Sequence, residues 1–269
     1  MSEAEYAEGL RGNGYAVFRH QGRFWYRQMG GMFWAVNWTA RMNDREASPP
    51  GRLRWGYRTT VAEGVPANGT LWLQMMADIR GYDFQTLPSK RRNQLRKCRR
   101  LVEIVALTGP ELLLEQGHRV FMSAYRRTAY GAPIAPSRYH RTVAPEIGTL
   151  GRIHLAGLVD GRLAGYLVAR AVEHTAYIAA VHLDTDLLPS NVGTGLVFEF
   201  VQICRQTPGI REIAYGPHSR YDEALCRFKE GMGFPPVALP ARYQLNPAAA
   251  ALIRRRRPDM YYYISGELA

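Results

Sequence analysis

Residues 152–183 constrain the fold of this chain more than any other segment. Arg152–Val159 and Arg162–Arg170 are apolar stretches joined by Asp160-Gly161, a dipeptide typical of the two-residue turn of a β-hairpin. Glu173-His174 marks a second turn, which leads into a third apolar stretch, Thr175–Leu183. The segment therefore predicts an antiparallel meander of three strands, against which the neighbouring elements have to pack.

The segment after this meander carries alternating helix and strand signals. We expect a helix over Thr194–Arg205, a strand over Glu212–Tyr215, a helix over Tyr221–Met232 and a last strand over Ala241–Leu245. Together with the meander, this order predicts an α+β protein with a mixed, mostly antiparallel sheet flanked by helices.

The loop Ser190–Gly195 joins the third meander strand to the next helix and contains Gly193 and Gly195. Glycines let a backbone approach an anion closely, and amides at a helix start point towards it with the helix dipole behind them. The loop thus predicts a phosphate-binding site. A plain glycine-containing loop before a helix is the alternative.

The first half of the chain contains short aromatic stretches between residues 13 and 40, a strand over Gly69–Met75 and a basic helix over Ser89–Val102. Leu95, Cys98 and Val102 form an apolar stripe on this helix, and Ser89 is its predicted N-cap. The basic face predicts either a phosphate-rich partner such as tRNA or a solvated surface.

The formal net charge of +12 over 269 residues favours polyanionic partners. Cys98, Cys204 and Cys226 are widely spaced and odd in number, which indicates neither a disulfide framework nor a zinc site. We find no apolar run of membrane-spanning length and no secretory signal, so we expect a cytoplasmic protein without a transmembrane segment. The histidines share no ligand spacing, and we predict no metal.

Ser190-Asn-Val-Gly193-Thr-Gly195, in this order of elements, resembles the acyl-CoA pyrophosphate loop of the GNAT superfamily of N-acyltransferases. Ser190 stands where that family has Arg or Gln. The resemblance implies acyl-CoA as co-substrate and an amine as acceptor. The residues that it places against acyl-CoA are Val181, Leu183, Asn191, Val192, Gly193, Thr194 and Gly195.

Ala224–Phe234 is similar to a helix that comes late in GNAT domains and ends in Tyr-x-x-x-Gly-Phe, with Lys229 in place of the tyrosine. The pair Phe228-Lys229 resembles the FemAB-like branch, aminoacyl-tRNA-dependent peptidyl transferases built from two GNAT-like halves. That resemblance implies a role for Lys229 in transfer, tRNA as a further partner, and two pseudo-repeated halves. We predict a degenerate half over residues 1–146 and an acyltransferase half over 147–269.

Attack by an amine requires its neutral form, so a proton acceptor is needed. His182 is the predicted base, because a histidine titrates near neutral pH. Tyr215, at the end of the next strand, is a predicted acid or orienting group. Lys229 is predicted to stabilise the oxyanion that develops on the carbonyl.

The sequence thus predicts an N-acyltransferase that moves an acyl group from acyl-CoA to an amine. Two alternatives stay open. One is a FemAB-like transferase that uses aminoacyl-tRNA, and the other is a binding module that keeps a GNAT-like fold without the chemistry.

Overall fold

The structure, a computed structural model, describes residues 1–28, 31–51, 55–129, 132–143, 146–148, 151–219 and 222–266. The chain forms two compact units. The first contains Met1–Gln74, Pro217–Arg227 and the segment from Pro235 onwards, and the second contains Met75–Gly216 and Phe228–Phe234. The predicted division into 1–146 and 147–269 concerns repeated halves rather than compact units, and it stays a prediction.

The sheet of the first unit has the strand order β1-β2-β3-β4-β11-β5. β3 and β4 are parallel, whereas the other neighbouring strands of this unit pair antiparallel. The strands are β1 (Ala16–His20), β2 (Arg23–Gln28), β3 (Met32–Ala35), β4 (Gly56–Thr60), β5 (Gly69–Met76) and β11 (Pro236–Leu245). The helices of this unit are α1 (Glu3–Gly12), α7 (Pro247–Arg256) and α8 (Pro258–Ser265).

The sheet of the second unit has the order β10-β9-β8-β7-β6 and contains the predicted meander. β9 and β10 are parallel, and the remaining pairs are antiparallel. Asp160 and Gly161 both have positive φ, of 49° and 75°, as a tight hairpin turn requires. The strands are β6 (Glu103–Ala106), β7 (Arg152–Val159), β8 (Arg162–Val172), β9 (Thr175–Leu183) and β10 (Glu212–Pro217).

Helices cover both faces of this second sheet. On one face, α2 and α5 pack through Leu95 and Leu196 into a core that includes Leu167 of β8. On the other face, α3 and α4 contribute Val120 and Tyr139 to a core around Tyr166 of β8. The helices are α2 (Ser89–Leu101), α3 (His118–Thr128), α4 (Pro136–Val143) and α5 (Val192–Gln206), with a π-helical turn at Leu113–Gly117 before α3. Helix α6 (Glu223–Gly231) begins in the first unit and ends in the second.

The elements confirm the predicted α+β class with a mixed, mostly antiparallel sheet flanked by helices. Several boundaries differ from the prediction, including the start of β11 at Pro236 rather than Ala241. Helix α5 begins at Val192, two residues before Thr194. Ser89 is the first residue of α2 rather than its cap, because Pro88 occupies the N-cap position without a side-chain hydrogen bond. Tyr221, the predicted first residue of α6, lies outside the described residues.

Candidate functional site

Strands β9 and β10 part halfway along the second sheet. Their parallel pairing covers Glu212–Thr175, Ile213–Ala176 and Ala214–Tyr177, whereas β9 continues to Leu183. The register of β9 against β8 also shifts, because Val168 faces Ala180 but Ala169 faces Ile178. Such a bulge bends a strand and increases its twist, and bulges are frequent beside active sites. Beyond Tyr177 and Ala214 the two neighbouring strands no longer pair, and we call this unpaired region the opening between β9 and β10.

The 3₁₀ turn Thr185–Ser190 connects β9 to α5, and Asn191 follows it in the left-handed conformation with φ of 60°. The amides of Thr194 and Gly195 both donate to the carbonyl of Asn191, at 3.0 and 3.3 Å. Within the described part of the chain, the amides of Val192 and Gly193 have no hydrogen-bond acceptor. These two amides are the first of the helix, where a helix presents free donors.

Gly193 and Gly195, in the first turn of α5, are buried and make room for neighbouring side chains. A Cβ at Gly193 would lie 2.9 Å from Cδ1 of Leu183. A Cβ at Gly195 would collide with Sγ of Cys98 and lie 2.8 Å from Cδ1 of Ile104. The absence of side chains here therefore serves the packing of α5 against β9, α2 and β6.

Ser190 is engaged within the turn. Its hydroxyl donates to the carbonyl of Leu187 at 2.6 Å, and the residue is buried. Val181 and Leu183, predicted to contact acyl-CoA, are partly buried and pack against the core under α5. The structure therefore brings together the predicted loop residues, while their contact with acyl-CoA stays a prediction.

Helix α6 ends in a Schellman motif that accounts for the spacing Lys-x-x-x-Gly-Phe. The amide of Phe234 donates to the carbonyl of Lys229 at 3.0 Å, and that of Gly233 donates to the carbonyl of Glu230 at 2.9 Å. Gly233 has φ of 91°, a conformation that favours glycine. The lysine backbone is thus fixed by the two residues that complete the motif.

The side chains of Lys229 and Tyr215 lie together. Lys229 is only 5% exposed, and its Nζ lies 4.9 Å from the centre of the Tyr215 ring. The Tyr215 ring packs edge-on against Phe234, with 5.3 Å between ring centres. Burial raises the pKa of Tyr215, so its phenol is neutral. Because Tyr215 lies just beyond the last β9–β10 pair, this cluster borders the opening between the strands.

His182 lies on the opposite face of the sheet from Lys229 and Tyr215. Its ring centre is 4.9 Å from that of Tyr166 and 5.1 Å from that of Phe121, on the face covered by α3. Burial lowers the pKa of His182 to about 4, so the ring is neutral near pH 7. The structure therefore does not bring the predicted base together with the predicted lysine, and the role of His182 stays a prediction.

The basic helix α2 uses several cations for packing. Arg91 stacks on Phe228, and Arg92 donates to the carbonyl of Leu87 at 2.8 Å. Arg96 and Arg99 lie over the Phe84 ring, at 5.1 and 5.8 Å. Exposed cations on this helix include Lys90, Lys97 and Arg100. The helix is therefore partly a structural clamp and partly a charged surface.

Comparison of the sequence with protein families gives a match to the acetyltransferase (GNAT) domain over residues 89–230, which is more than half of the chain. The chain belongs to the GNAT family. A comparison with curated protein sequences finds no match.

Solved structures with a similar fold cover nearly the whole of this GNAT chain. One is the C-terminal domain (DUF2156) of a protein named as a lysylphosphatidylglycerol synthetase from Agrobacterium fabrum, with 12% identity, a TM-score of 0.60 and 98% of each chain covered. Another is FemX, with 7% identity, a TM-score of 0.59, and 95% of this chain and 93% of that chain covered. The similarity is one of fold, and it is consistent with the predicted two-half organisation.

The second unit also contains a buried charge cluster that the sequence did not reveal. Asp184, 2% exposed, forms ion pairs with Arg119 and Arg162 and accepts a hydrogen bond from Ser123 at 3.0 Å. Burial alone would raise the pKa of Asp184, but these donors outweigh it and the pKa is lowered. The partners are up to 65 residues away in the sequence, so no local pattern indicates the cluster.

The described residues contain neither a candidate membrane-spanning helix nor a candidate metal site. None of their helices combines the length and apolarity of a bilayer-crossing segment. In the same residues, no group of three or more His, Cys, Asp or Glu side chains is arranged to hold a metal ion.

Proposed function

We propose that this GNAT chain transfers an acyl group from acyl-CoA to the amino group of an acceptor. The observation that carries the proposal is the opening between β9 and β10 beside the start of α5. Next to that opening lie the unpaired amides of Val192 and Gly193, and the Lys229–Tyr215 cluster borders it.

The helix start fits the phosphates of a CoA carrier. Free amides and the positive end of the α5 dipole both attract anions. Ser190 offers no additional charge, because its hydroxyl is bound to the backbone of the turn. We therefore expect the amides of Val192 and Gly193, rather than a side chain of this turn, to hold the pyrophosphate. Both residues are buried in the structure, so binding requires a local movement that exposes these amides.

Lys229 supplies a cation in largely buried surroundings, where an electrostatic interaction is stronger than in water. In the proposed reaction the acceptor nitrogen bonds to the acyl carbonyl carbon, the carbon–sulfur bond breaks, and the proton released by the amine leaves through solvent or a base. Lys229 stabilises the negative charge on the carbonyl oxygen, and the Tyr215 ring lies against its Nζ. The proposed reaction does not use His182, because that residue lies on the opposite face of the sheet from Lys229.

The test is ligand binding followed by turnover. CoA and acetyl-CoA should raise the melting temperature, since a ligand at 100 times its Kd adds about 2.7 kcal/mol of stability. Release of free CoA thiol should then depend on an added amine. The absence of both a thermal shift and turnover with acetyl-CoA and long-chain acyl-CoA would contradict the proposal.

A second candidate is transfer from aminoacyl-tRNA. The observation that favours it is the row of exposed cations on α2, which includes Lys90, Lys97 and Arg100, in a chain of net charge +12. Phosphate contacts make binding depend steeply on salt. Salt-sensitive tRNA binding without any stabilisation by CoA would favour this candidate over the first.

The buried thiols of Cys98, Cys204 and Cys226 form no disulfide, which supports a cytoplasmic location in either case.

A further inference from the structure

We infer that Arg91 of α2 is a positioning residue for Lys229. The inference rests on the proposed function, because it assigns a task in the same reaction. Arg91 lies in the basic stretch of α2, where a solvated surface was one of the two expectations. In the structure it is partly buried against the last turn of α6, the turn that carries Lys229.

Two contacts with Phe228 hold the Arg91 side chain on that turn, and a contact with Gln94 orients its planar group. Its guanidinium lies 4.6 Å from the centre of the Phe228 ring. Its Nη2 donates to the Phe228 carbonyl at 3.3 Å, and its Nη1 donates to Oε1 of Gln94 at 2.8 Å. Gln94, like Arg91, lies on α2. Arg91 therefore holds the residue that directly precedes Lys229 by both its ring and its backbone.

Gly231 shows that this arrangement depends on close approach. A Cβ at Gly231 would lie 2.8 Å from Nε and 3.2 Å from Nη2 of Arg91. The glycine thus leaves the space in which the guanidinium reaches the end of the helix. A cation at the carboxyl end of a helix is also favoured by the helix dipole.

Lys229 is therefore held from two directions. On one side, the Schellman motif bonds its carbonyl to the amide of Phe234. On the other side, Arg91 fixes Phe228. The Schellman motif ends the helix, while Arg91 sets where that end lies against α2. A shift of the last turn would move Nζ relative to Tyr215.

A double-mutant cycle in turnover tests the inference. Removing one oxyanion donor costs about 100- to 1000-fold in kcat, which is the expectation for Lys229→Ala. Arg91→Ala should lower kcat by about 10- to 100-fold, since a small misplacement of a reacting group has effects of this size. KM for the acyl donor should change by less than about twofold, because Arg91 positions a lysine whose interaction with the substrate forms only in the transition state.

The double variant Arg91→Ala/Lys229→Ala should match Lys229→Ala alone, because Arg91 has nothing left to position. Multiplication of the two losses would overturn the inference. Arg91→Lys keeps the charge but lacks the planar fork, so it should restore only part of the activity. Arg96→Ala is the matched control from the same helix, since Arg96 stacks on Phe84 and bonds Asn93, and its kcat should stay at the wild-type level.

A readout without substrate separates this inference from the proposed function. Peptide mass spectrometry after brief treatment of the folded protein with acetic anhydride measures how readily Lys229 is modified, separately from Lys90 and Lys97. Arg91→Ala should speed modification of this buried lysine, and Arg96→Ala should leave it unchanged. If Lys229→Ala retains full turnover, the proposed use of Lys229 is wrong, and the labelling alone decides whether Arg91 positions it. Equal labelling in all three proteins overturns the inference.

Discussion

Replacing Gly195 with alanine tests why the first turn of α5 contains glycines. Alanine gains about 1 kcal/mol over glycine within a helix, whereas an additional carbon in a filled core costs about 1–3 kcal/mol. The new Cβ would collide with Sγ of Cys98 and lie 2.8 Å from Cδ1 of Ile104. We therefore expect Gly195→Ala to lower the free energy of unfolding by up to about 2 kcal/mol.

Urea unfolding followed by circular dichroism measures this change. Gly9→Ala in α1 is the matched control, because a Cβ at Gly9 would meet nothing within 4 Å, and it should stabilise by up to about 1 kcal/mol. Adding Cys98→Ala to Gly195→Ala should recover about 1 kcal/mol relative to the sum of the single changes. A Gly195→Ala variant as stable as Gly9→Ala would refute the packing explanation.

Three other predictions concern charge and backbone conformation. Asp184→Asn should destabilise the fold by only about 1–2 kcal/mol at pH 7, since the arginine partners of Asp184 are partly exposed and screened. Because the folded-state pKa of Asp184 is lowered, its stabilisation is present above the unfolded-state pKa and is lost as the pH falls through the folded-state pKa. Unfolding curves at several pH values will show this loss. Burial lowers the pKa of His182 to about 4, and burial together with nearby Arg152 lowers that of His154 to about 4. The free energy of unfolding should therefore fall between pH 6.5 and pH 4, because the unfolded chain takes up protons first. A flat profile in this range would contradict the burial of these neutral histidines. Gly233→Ala places a side chain at φ of 91° and should lower the free energy of unfolding by about 1–2 kcal/mol. Turnover should also fall, because the carbonyl of Lys229 loses its cap. An unchanged melting temperature and kcat would show that the Schellman motif is dispensable.

Much of the fold was predictable because its signals are local. The hairpin at Asp160-Gly161, the amphipathic stripe of α2 and the order of elements after β9 all follow from short-range patterns. Helix α1 was also within reach, since Ser2 and Glu5 form a capping box in which the Glu5 amide donates to Ser2 Oγ at 3.2 Å. That signal spans only four residues, Ser2–Glu5.

The site was predictable only in part, because its contacts join distant segments. Lys229 and Tyr215 were proposed independently, and their meeting depends on how β10 and the end of α6 pack. His182 lies on the face opposite Lys229 and Tyr215, because the bulge in β9 changes which residues face each side of the sheet. The alternation of side chains along a regular strand does not predict a bulge. The contact between Arg91 and Phe228 spans 137 residues, so the composition of α2 indicated a charged surface where the structure has a clamp.

The most direct test of the account is acyl transfer itself. Purified protein is incubated with isotopically labelled acetyl-CoA and a panel of amines, and labelled amides are detected by mass spectrometry. We predict that the wild-type chain forms a labelled amide and that Lys229→Ala reduces its rate by about 100- to 1000-fold while remaining folded. No labelled product from the wild-type chain, together with no binding of CoA, would contradict the central claim.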